Sequence, residues 1–232
     1  DEFDKGNYVY TRNFVEALRT LDMVPRQFVY ISSLSIFGPI HEDNYAPISE
    51  RDTAMPNTAY GVSKLKSEHY LQSLNDFPTV IFRPTGVYGP RERDYFLMAK
   101  SIKQHIDFAP GFKRQDLTFI YVRDLVQAVY LAIEHGVRQR AYFVSDGNEL
   151  GNPWVIHIKC PLFILKVVSL LAEFSARCLG KVSTLNADKY KIMKQRNWQC
   201  DISPLVEELG YRPEYPLDKG VKEIIAWYKK EA

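Results

Sequence analysis

The sequence has few of the residues that mark disulfide-rich or metal-binding proteins. Its three cysteines, Cys160, Cys178 and Cys200, lie 18 and 22 positions apart. This spacing matches neither a disulfide framework nor a zinc site. The five histidines also never approach one another or a cysteine at metal-ligand spacing. We therefore predict no metal ion, and the odd number of cysteines favours a reducing, cytoplasmic compartment.

An excess of charge and a long apolar run are also missing. The 232 residues include 30 basic and 28 acidic side chains, and the formal net charge of +2 argues against a nucleic-acid partner. The first residues do not show the pattern of a secretory signal. The most apolar stretch, residues 161–179, contains Lys166, Glu173 and Arg177. It therefore predicts an amphipathic helix and no transmembrane segment, and we expect a small-molecule ligand in a pocket.

What is present is a regular alternation of strand and helix patterns. Hydrophobic periodicity predicts helices at residues 4–21, 59–74, 95–104, 122–135 and 217–230. Short β-branched and aromatic runs predict strands at residues 28–31, 79–83, 117–121 and 141–144. The alternation predicts an α/β fold with a partial doubly wound parallel sheet in residues 1–150, interleaved with lobe segments near 88–120. A smaller, mostly helical lobe would follow in residues 151–232.

Two residues on the second predicted helix have a spacing that suits proton transfer. Tyr60 and Lys64 stand four positions apart, so both side chains project from one helix face. A phenol has an ordinary pKa near 10, and a nearby ammonium group would lower it toward a useful range. An ordinary exposed pair on a helix surface is the alternative.

Two further segments lie where open parallel sheets place their ligands. Ser33 follows the strand predicted at residues 28–31, so its hydroxyl could hydrogen-bond the oxygen on which Tyr60 acts. The segment 84–90 follows the carboxyl end of the next predicted strand and is a second site candidate. Simple turn formation is the alternative for its proline and glycine residues.

Six blocks of the sequence, in order, resemble the extended short-chain dehydrogenases, and within them the NAD-dependent epimerase/dehydratase family. The blocks are Tyr30 to Gly38, Tyr60 to Lys64, Arg83 to Pro90, Phe119 to Leu125, Trp198 to Asp201 and Leu209 to Pro213. They span nearly the whole chain. The resemblance implies a Rossmann fold, NAD or NADP as cofactor, and a homodimer as a possible assembly.

The resemblance also implies roles for individual residues. It makes Tyr60 the catalytic acid/base, Lys64 its pKa modulator and a ribose ligand, and Ser33 the donor to the substrate oxygen. The implied cofactor-binding residues, besides Tyr60 and Lys64, are Asn7, Ser32, Pro84, Thr85 and Val87. The implied substrate-binding residues are Ser35, Arg91 and Arg114, the two arginines as ligands of a diphosphate, with a solvated charged surface as the alternative.

The chain departs from the family pattern at two places. No glycine-rich phosphate turn opens a helix, so we expect roughly 70 to 80 further N-terminal residues in the parent protein. The choice between NAD and NADP is unreadable without that segment. Near residues 146–151, a helix that relatives place there is missing, which predicts either a shortened lobe or a dropped segment across Asn148 and Glu149.

The sequence is compatible with more than one class of substrate. Arginines after the proline loop suit a nucleotide sugar, whereas the apolar block from Trp154 to Leu179 resembles the 3β-hydroxysteroid dehydrogenase and dihydroflavonol reductase branch. A catalytically silent scaffold or redox-sensing member of the fold is a further alternative, against which Ser33, Tyr60 and Lys64 argue. The expected reaction is hydride exchange at a carbinol carbon, giving an epimerase, dehydratase or reductase according to the step that follows.

Overall fold

The computed structural model describes residues 2–92, 95, 106–147, 156–178 and 187–231. Its described strands are β1 (Phe28–Ile31), β2 (Thr79–Pro84), β3 (Gly86–Tyr88), β4 (Ile106–Pro110), β5 (Phe119–Tyr121), β6 (Arg140–Val144) and β7 (Ile156–Cys160). Its described α-helices are α1 (Tyr10–Thr20), α2 (Ala59–Gln72), α3 (Val122–Glu134), α4 (Leu162–Cys178), α5 (Ala187–Lys194), α6 (Ser203–Leu209) and α7 (Leu217–Glu231). A π-helical segment, Asp4–Val9, runs directly into α1.

A parallel sheet with β2 at its centre organises the fold. Its strand order is β1-β2-β6, and β1 and β2 run in register from Phe28 opposite Thr79 to Ile31 opposite Phe82. On the other side of β2, the register with β6 ends at Pro84 opposite Val144. The parallel arrangement places the carboxyl ends of all three strands at one edge of the sheet.

Helices cover both faces of this sheet because the side chains of β2 alternate between two cores. Val80 and Phe82 pack with α3 and with Leu205 of α6 on one face. Ile81 packs on the other face with Val15 of α1 and with α2. The doubly wound α/β architecture predicted from the sequence is therefore present.

Smaller parallel sheets accompany the main one, and one of them was not expected. β3 pairs with β5, and β4 pairs with β7. β7 lies in the region predicted to be mostly helical. α6, from the same region, packs into the main core, so residues 151–232 do not all stand apart from the sheet. The domain boundary near residue 150 stays a prediction.

Two predicted features lie outside the described residues. They are the helix at 95–104, of which only Tyr95 is described, and the junction between Asn148 and Glu149.

α4 forms where the apolar run predicted a helix, but a broad apolar face of it, including Phe163, Val167 and Leu171, is exposed to solvent. Within the described part of the chain, no helix is both long and apolar enough to cross a membrane.

Candidate active site

The candidate site lies at the carboxyl edge of the main sheet. β1 leads directly into Ser32 and Ser33, and β2 leads into Thr85. The backbone N–H of Ser32 donates to Phe82 O at 2.7 Å, and the N–H of Thr85 donates to Val144 O at 3.0 Å. These bonds continue the strand pairing beyond the strand ends, so the polar segments that follow start from fixed positions.

Ser33 is held by a short turn that also orients Ser35. Its extended backbone precedes the 3₁₀ turn Leu34–Ile36, and its Oγ accepts a hydrogen bond from the Ser35 N–H at 3.2 Å. The Oγ atoms of Ser33 and Ser35 lie 3.1 Å apart, and Ser33 donates. The structure thus brings the predicted catalytic serine and the predicted substrate-contacting serine together.

Gly61 allows helix α2 to approach this serine turn closely. A Cβ atom at Gly61 would lie 2.5 Å from the backbone oxygen of Ser35 and 2.9 Å from Pro56 Cβ. Any other side chain would push the helix and the turn apart. Thr58, whose Oγ1 accepts from the Gly61 N–H at 3.0 Å, fixes the first turn of the helix. Gly61 therefore sets how near Tyr60 comes to Ser33.

The three predicted catalytic side chains converge at this contact. The Tyr60 hydroxyl lies close enough to the Ser33 hydroxyl to interact with it electrostatically, and Phe3 packs edge-on against the Tyr60 ring at 5.7 Å between centroids. The Nζ of Lys64 lies 5.8 Å from the centroid of the Tyr60 ring and 5.0 Å from that of Tyr30. A phenol, a hydroxyl and an ammonium group therefore lie together at the sheet edge. Their catalytic roles remain predictions.

The electrostatics of this cluster differ from the sequence prediction. Burial raises the pKa of Tyr60 above its ordinary value, and the nearby Ser33 hydroxyl opposes that shift. The net shift is opposite in direction to the lowering expected from the spacing, because burial is its largest cause. The Lys64 ammonium donates to the backbone oxygen of Ile31 at 2.8 Å, and its effect on the Tyr60 pKa stays a prediction. Burial in turn lowers the pKa of Lys64, and Glu68 opposes that shift. Tyr60 is consequently a neutral phenol at neutral pH.

Two buried hydroxyls at the same edge have no partner among the described residues. Ser32 is 3% exposed and Thr85 is 8% exposed, and the Oγ of Ser32 and the Oγ1 of Thr85 make no hydrogen bond there. Buried polar groups are nearly always hydrogen-bonded, so orphaned ones at a candidate site are consistent with a polar ligand. Pro84 is buried and Val87 packs against the main core beside them. The residues present therefore fit a cofactor that offers hydrogen-bonding groups here.

Asn7 is close to helix α2, but its side-chain amide is engaged within the protein. Its Nδ2 donates to Ser63 Oγ at 2.9 Å, and its backbone oxygen accepts from Ser67 Oγ at 3.0 Å. The observed contacts tie the π-helical segment to α2. The predicted contact of Asn7 with a cofactor stays a prediction.

The structure does not add the two predicted diphosphate ligands to the Ser33–Tyr60–Lys64 cluster. Arg91 is exposed in a left-handed backbone conformation, with φ of 74°. Arg114 forms paired hydrogen bonds of 2.5 and 2.7 Å with Asp116, and its guanidinium lies 5.0 Å from the ring centroid of Tyr45. The guanidinium of Arg114 is thus already paired with an acidic group. In the described portion of the chain, no cluster of acidic, histidine or cysteine side chains could hold a metal ion.

The sequence analysis missed a buried ion pair beside the cluster. Arg83 of β2 donates to Glu68 of α2 through Nε and Nη2, with the shortest distance 2.6 Å. A usable signal existed, because Glu68 follows Lys64 at the same four-residue spacing that separates Lys64 from Tyr60. The partner strand residue could not be identified from spacing alone.

Comparison with known proteins shows the family of the chain. Residues 1–145 match the model of the NAD dependent epimerase/dehydratase family. The chain belongs to that family. A relative in Bacillus subtilis (strain 168), named an uncharacterized UDP-glucose epimerase YtcB, is 29% identical over 237 residues that cover 96% of this chain and 69% of the relative. Across eight of the curated relatives that it matches, the chain spans between 56% and 69% of the relative's length.

Solved structures show the same fold. The dTDP-glucose 4,6-dehydratase DesIV from Streptomyces venezuelae, solved with NAD and TYD bound, superposes with a TM-score of 0.71 at 20% identity, covering 99% of this chain and 67% of that one. RMD from Pseudomonas aeruginosa, complexed with NADPH, gives a TM-score of 0.69 at 22% identity, covering 97% and 74%. These similarities confirm the predicted Rossmann-type α/β class.

Proposed function

We propose that this chain carries the catalytic residues of an NAD(P)-dependent epimerase or dehydratase that acts on a carbinol carbon of a nucleotide sugar. The observation that supports this most is the proximity of the Ser33 and Tyr60 side chains, with Lys64 adjacent, at the carboxyl edge of a parallel sheet. The UDP-glucose epimerase name of the Bacillus relative and the dehydratase with bound NAD favour the sugar nucleotide class.

The protonation state of Tyr60 gives it a defined chemical role. As a neutral phenol it can donate a proton to a keto oxygen while that oxygen becomes a hydroxyl. In the opposite direction, the substrate hydroxyl returns its proton to the Tyr60 oxygen. Ser33 can hold the same substrate oxygen by a hydrogen bond, because its Oγ lies beside Tyr60. Lys64 is the cation near enough to stabilise the phenolate formed between these steps.

The cofactor would occupy the edge where Ser32 and Thr85 present unpartnered hydroxyls. When bound, NAD or NADP supplies the hydride acceptor and donor of the reaction. Ser32 and Thr85 would hydrogen-bond its polar groups, and the buried Pro84 would exclude water beside them. The solved neighbours contain NAD in one case and NADPH in the other, so both dinucleotides belong in the test.

An NAD(P)-dependent reductase of a hydrophobic ketone is the second candidate. The observation that favours it is the solvent-exposed apolar face of α4, where Phe163 and Leu171 are each at least 60% exposed. An apolar surface of this size suits a hydrophobic ligand better than a sugar. A silent scaffold is a weaker candidate, since the three side chains of an acid/base site converge.

A substrate panel separates these candidates. The full-length protein is incubated with UDP-glucose, dTDP-glucose or a 3-ketosteroid, each with oxidised or reduced NAD and NADP, and products are analysed by proton NMR. Conversion of a sugar nucleotide to its 4-epimer or its 4-keto-6-deoxy product is the expected result. Reduction of the steroid alone would replace the sugar assignment by the second candidate, and dinucleotide binding without any turnover would favour the scaffold.

A further inference from the structure

Glu68 and Arg83 form a buried ion pair that joins the catalytic helix to the central strand. The Glu68 side chain is 1% exposed, and Arg83 donates to it at 3.2, 3.1 and 2.6 Å. The Arg83 guanidinium lies 5.5 Å from the ring centroid of Phe37 and 5.4 Å from that of Phe143. Both charges are therefore fixed by packing as well as by hydrogen bonds.

The pair acts on the same face of α2 that carries the site. Tyr60, Lys64 and Glu68 are spaced by four residues each and lie one helical turn apart along that face. The groups that face the Lys64 ammonium are the Tyr30 ring and Ile31 oxygen of β1, and Tyr60 and Glu68 of α2. Glu68 is the acidic group in this set. Its charge opposes the effect of burial on the Lys64 ammonium.

We propose that Glu68 is a positioning residue for the Tyr60–Lys64 pair: anchored by Arg83, its carboxylate fixes the adjacent helical turn and keeps negative charge beside the Lys64 ammonium. The proposal rests on the proposed function, because it concerns how Lys64 is prepared for its role there. Glu68 touches neither the reacting atoms nor a ligand under this proposal. It acts only through Lys64.

A double substitution separates the charge of Glu68 from its structural contribution. Glu68→Gln alone leaves Arg83 buried without a counter-charge, which destabilises a protein strongly. Adding Arg83→Met replaces the pair by two neutral side chains of similar volume, a change that proteins often tolerate. The double variant is therefore expected to keep the fold while it loses the Glu68 carboxylate together with the Arg83 counter-charge.

The measurement is the pH dependence of Lys64 acetylation by acetic anhydride, read by peptide mass spectrometry in the full-length protein. Each variant is scaled to its own plateau at high pH, so that changed access to Lys64 cancels. Without Glu68 the ammonium loses a stabilising charge, so more Lys64 is neutral at pH 8. We expect about threefold faster scaled acetylation at pH 8 in Glu68→Gln, and a smaller increase in the double variant, because that variant also loses the positive charge of Arg83. Glu208→Gln, in an ion pair at the opposite end of the sheet, is the control and should leave Lys64 unchanged.

The outcomes distinguish this proposal from the proposed function. A folded double variant with unchanged scaled acetylation of Lys64 would show that the pair is only structural and would overturn the proposal. The labelling needs no turnover, so its result holds whichever substrate the panel identifies. Failure of the proposed function would instead appear as absence of turnover in the wild-type protein.

Discussion

The two ends of the main sheet differ in what surrounds their buried hydroxyl groups. At the amino end, Thr79 of β2 is buried with an unpartnered Oγ1, as Thr85 is at the carboxyl end. Among the described residues, Thr85 has further orphaned or candidate catalytic hydroxyl groups at its own edge, namely those of Ser32, Ser33 and Tyr60. An isolated buried hydroxyl is therefore weak evidence for a ligand site. The assignment of the site to the carboxyl edge rests on several hydroxyl groups that lie together there.

The ion pairs at the two ends of the sheet differ in their exposure to solvent. Arg83, near the carboxyl end, is paired with Glu68 in the protein interior. Arg140, at the amino end of β6, pairs with Glu50 and Glu208 where all three side chains are about one-third exposed or more. Exposed pairs contribute little because water screens them, whereas a buried charge depends on its partner. The interior pair is thus the one that can shape the site.

The largest effect is expected from closing the gap between α2 and the serine turn. Gly61→Ala places a methyl group against the Ser35 backbone oxygen, which cannot move aside as a flexible side chain would. We expect a loss of about 1–3 kcal/mol in the free energy of unfolding, measured by urea denaturation, together with a fall in turnover. Gly6→Ala is the control, because a Cβ at Gly6 meets nothing within 4 Å. Equal stability of the two variants would mean that the close approach is not required.

A smaller effect is expected from removing one orphaned hydroxyl at each end. Thr85→Val and Thr79→Val make the same change in buried residues that bracket β2. Neither should lower the stability of the free protein, since neither hydroxyl has a partner among the described residues. Calorimetry should show about two- to tenfold weaker dinucleotide binding for Thr85→Val only, the loss of one hydrogen bond. Equal affinities for the two variants would remove Thr85 from the cofactor site.

The smallest effect is expected at the exposed pair. Arg140 and the Tyr142 hydroxyl, the latter donating at 2.7 Å, lower the pKa of Glu208. A lowered pKa in the folded state stabilises the protein above the unfolded pKa near 4.3, and this contribution is lost as pH falls through the folded value. Glu208→Gln should therefore reduce stability by less than about 1 kcal/mol at pH 7. In denaturation curves the difference from wild type should shrink as the pH falls below the unfolded value and vanish below the lowered folded value; a difference that grows toward acid would contradict the assignment.

Features that depend on local periodicity could be predicted from the sequence. The main strands and helices formed within a few residues of their predicted bounds, because burial of β2 on both faces and the apolar stripe of α3 leave clear patterns. Tyr60 and Lys64 share a helix face by spacing alone. Ser33 could be added because it ends a strand.

Features that depend on contacts between distant residues could not be predicted from the sequence. The sequence does not show that Lys64 donates to the Ile31 oxygen, that Gly61 meets Ser35, or that Arg83 is the partner of Glu68. Each of these contacts is set by how α2 packs on the sheet. The raised pKa of Tyr60 also follows from this packing, because burial is its largest cause. The spacing of Tyr60 and Lys64 does not show burial, so it predicted a lowered pKa instead.

The central claim is that Tyr60 transfers a proton in concert with Ser33 and Lys64. Its most direct test is the kcat of Tyr60→Phe with the sugar nucleotide that the substrate panel identifies, alongside Tyr70→Phe, which removes a hydroxyl from the exposed side of the same helix. The account predicts a loss of about 10²- to 10⁴-fold for Tyr60→Phe, with dinucleotide affinity retained and Tyr70→Phe close to wild type. Turnover of Tyr60→Phe equal to that of Tyr70→Phe would contradict it.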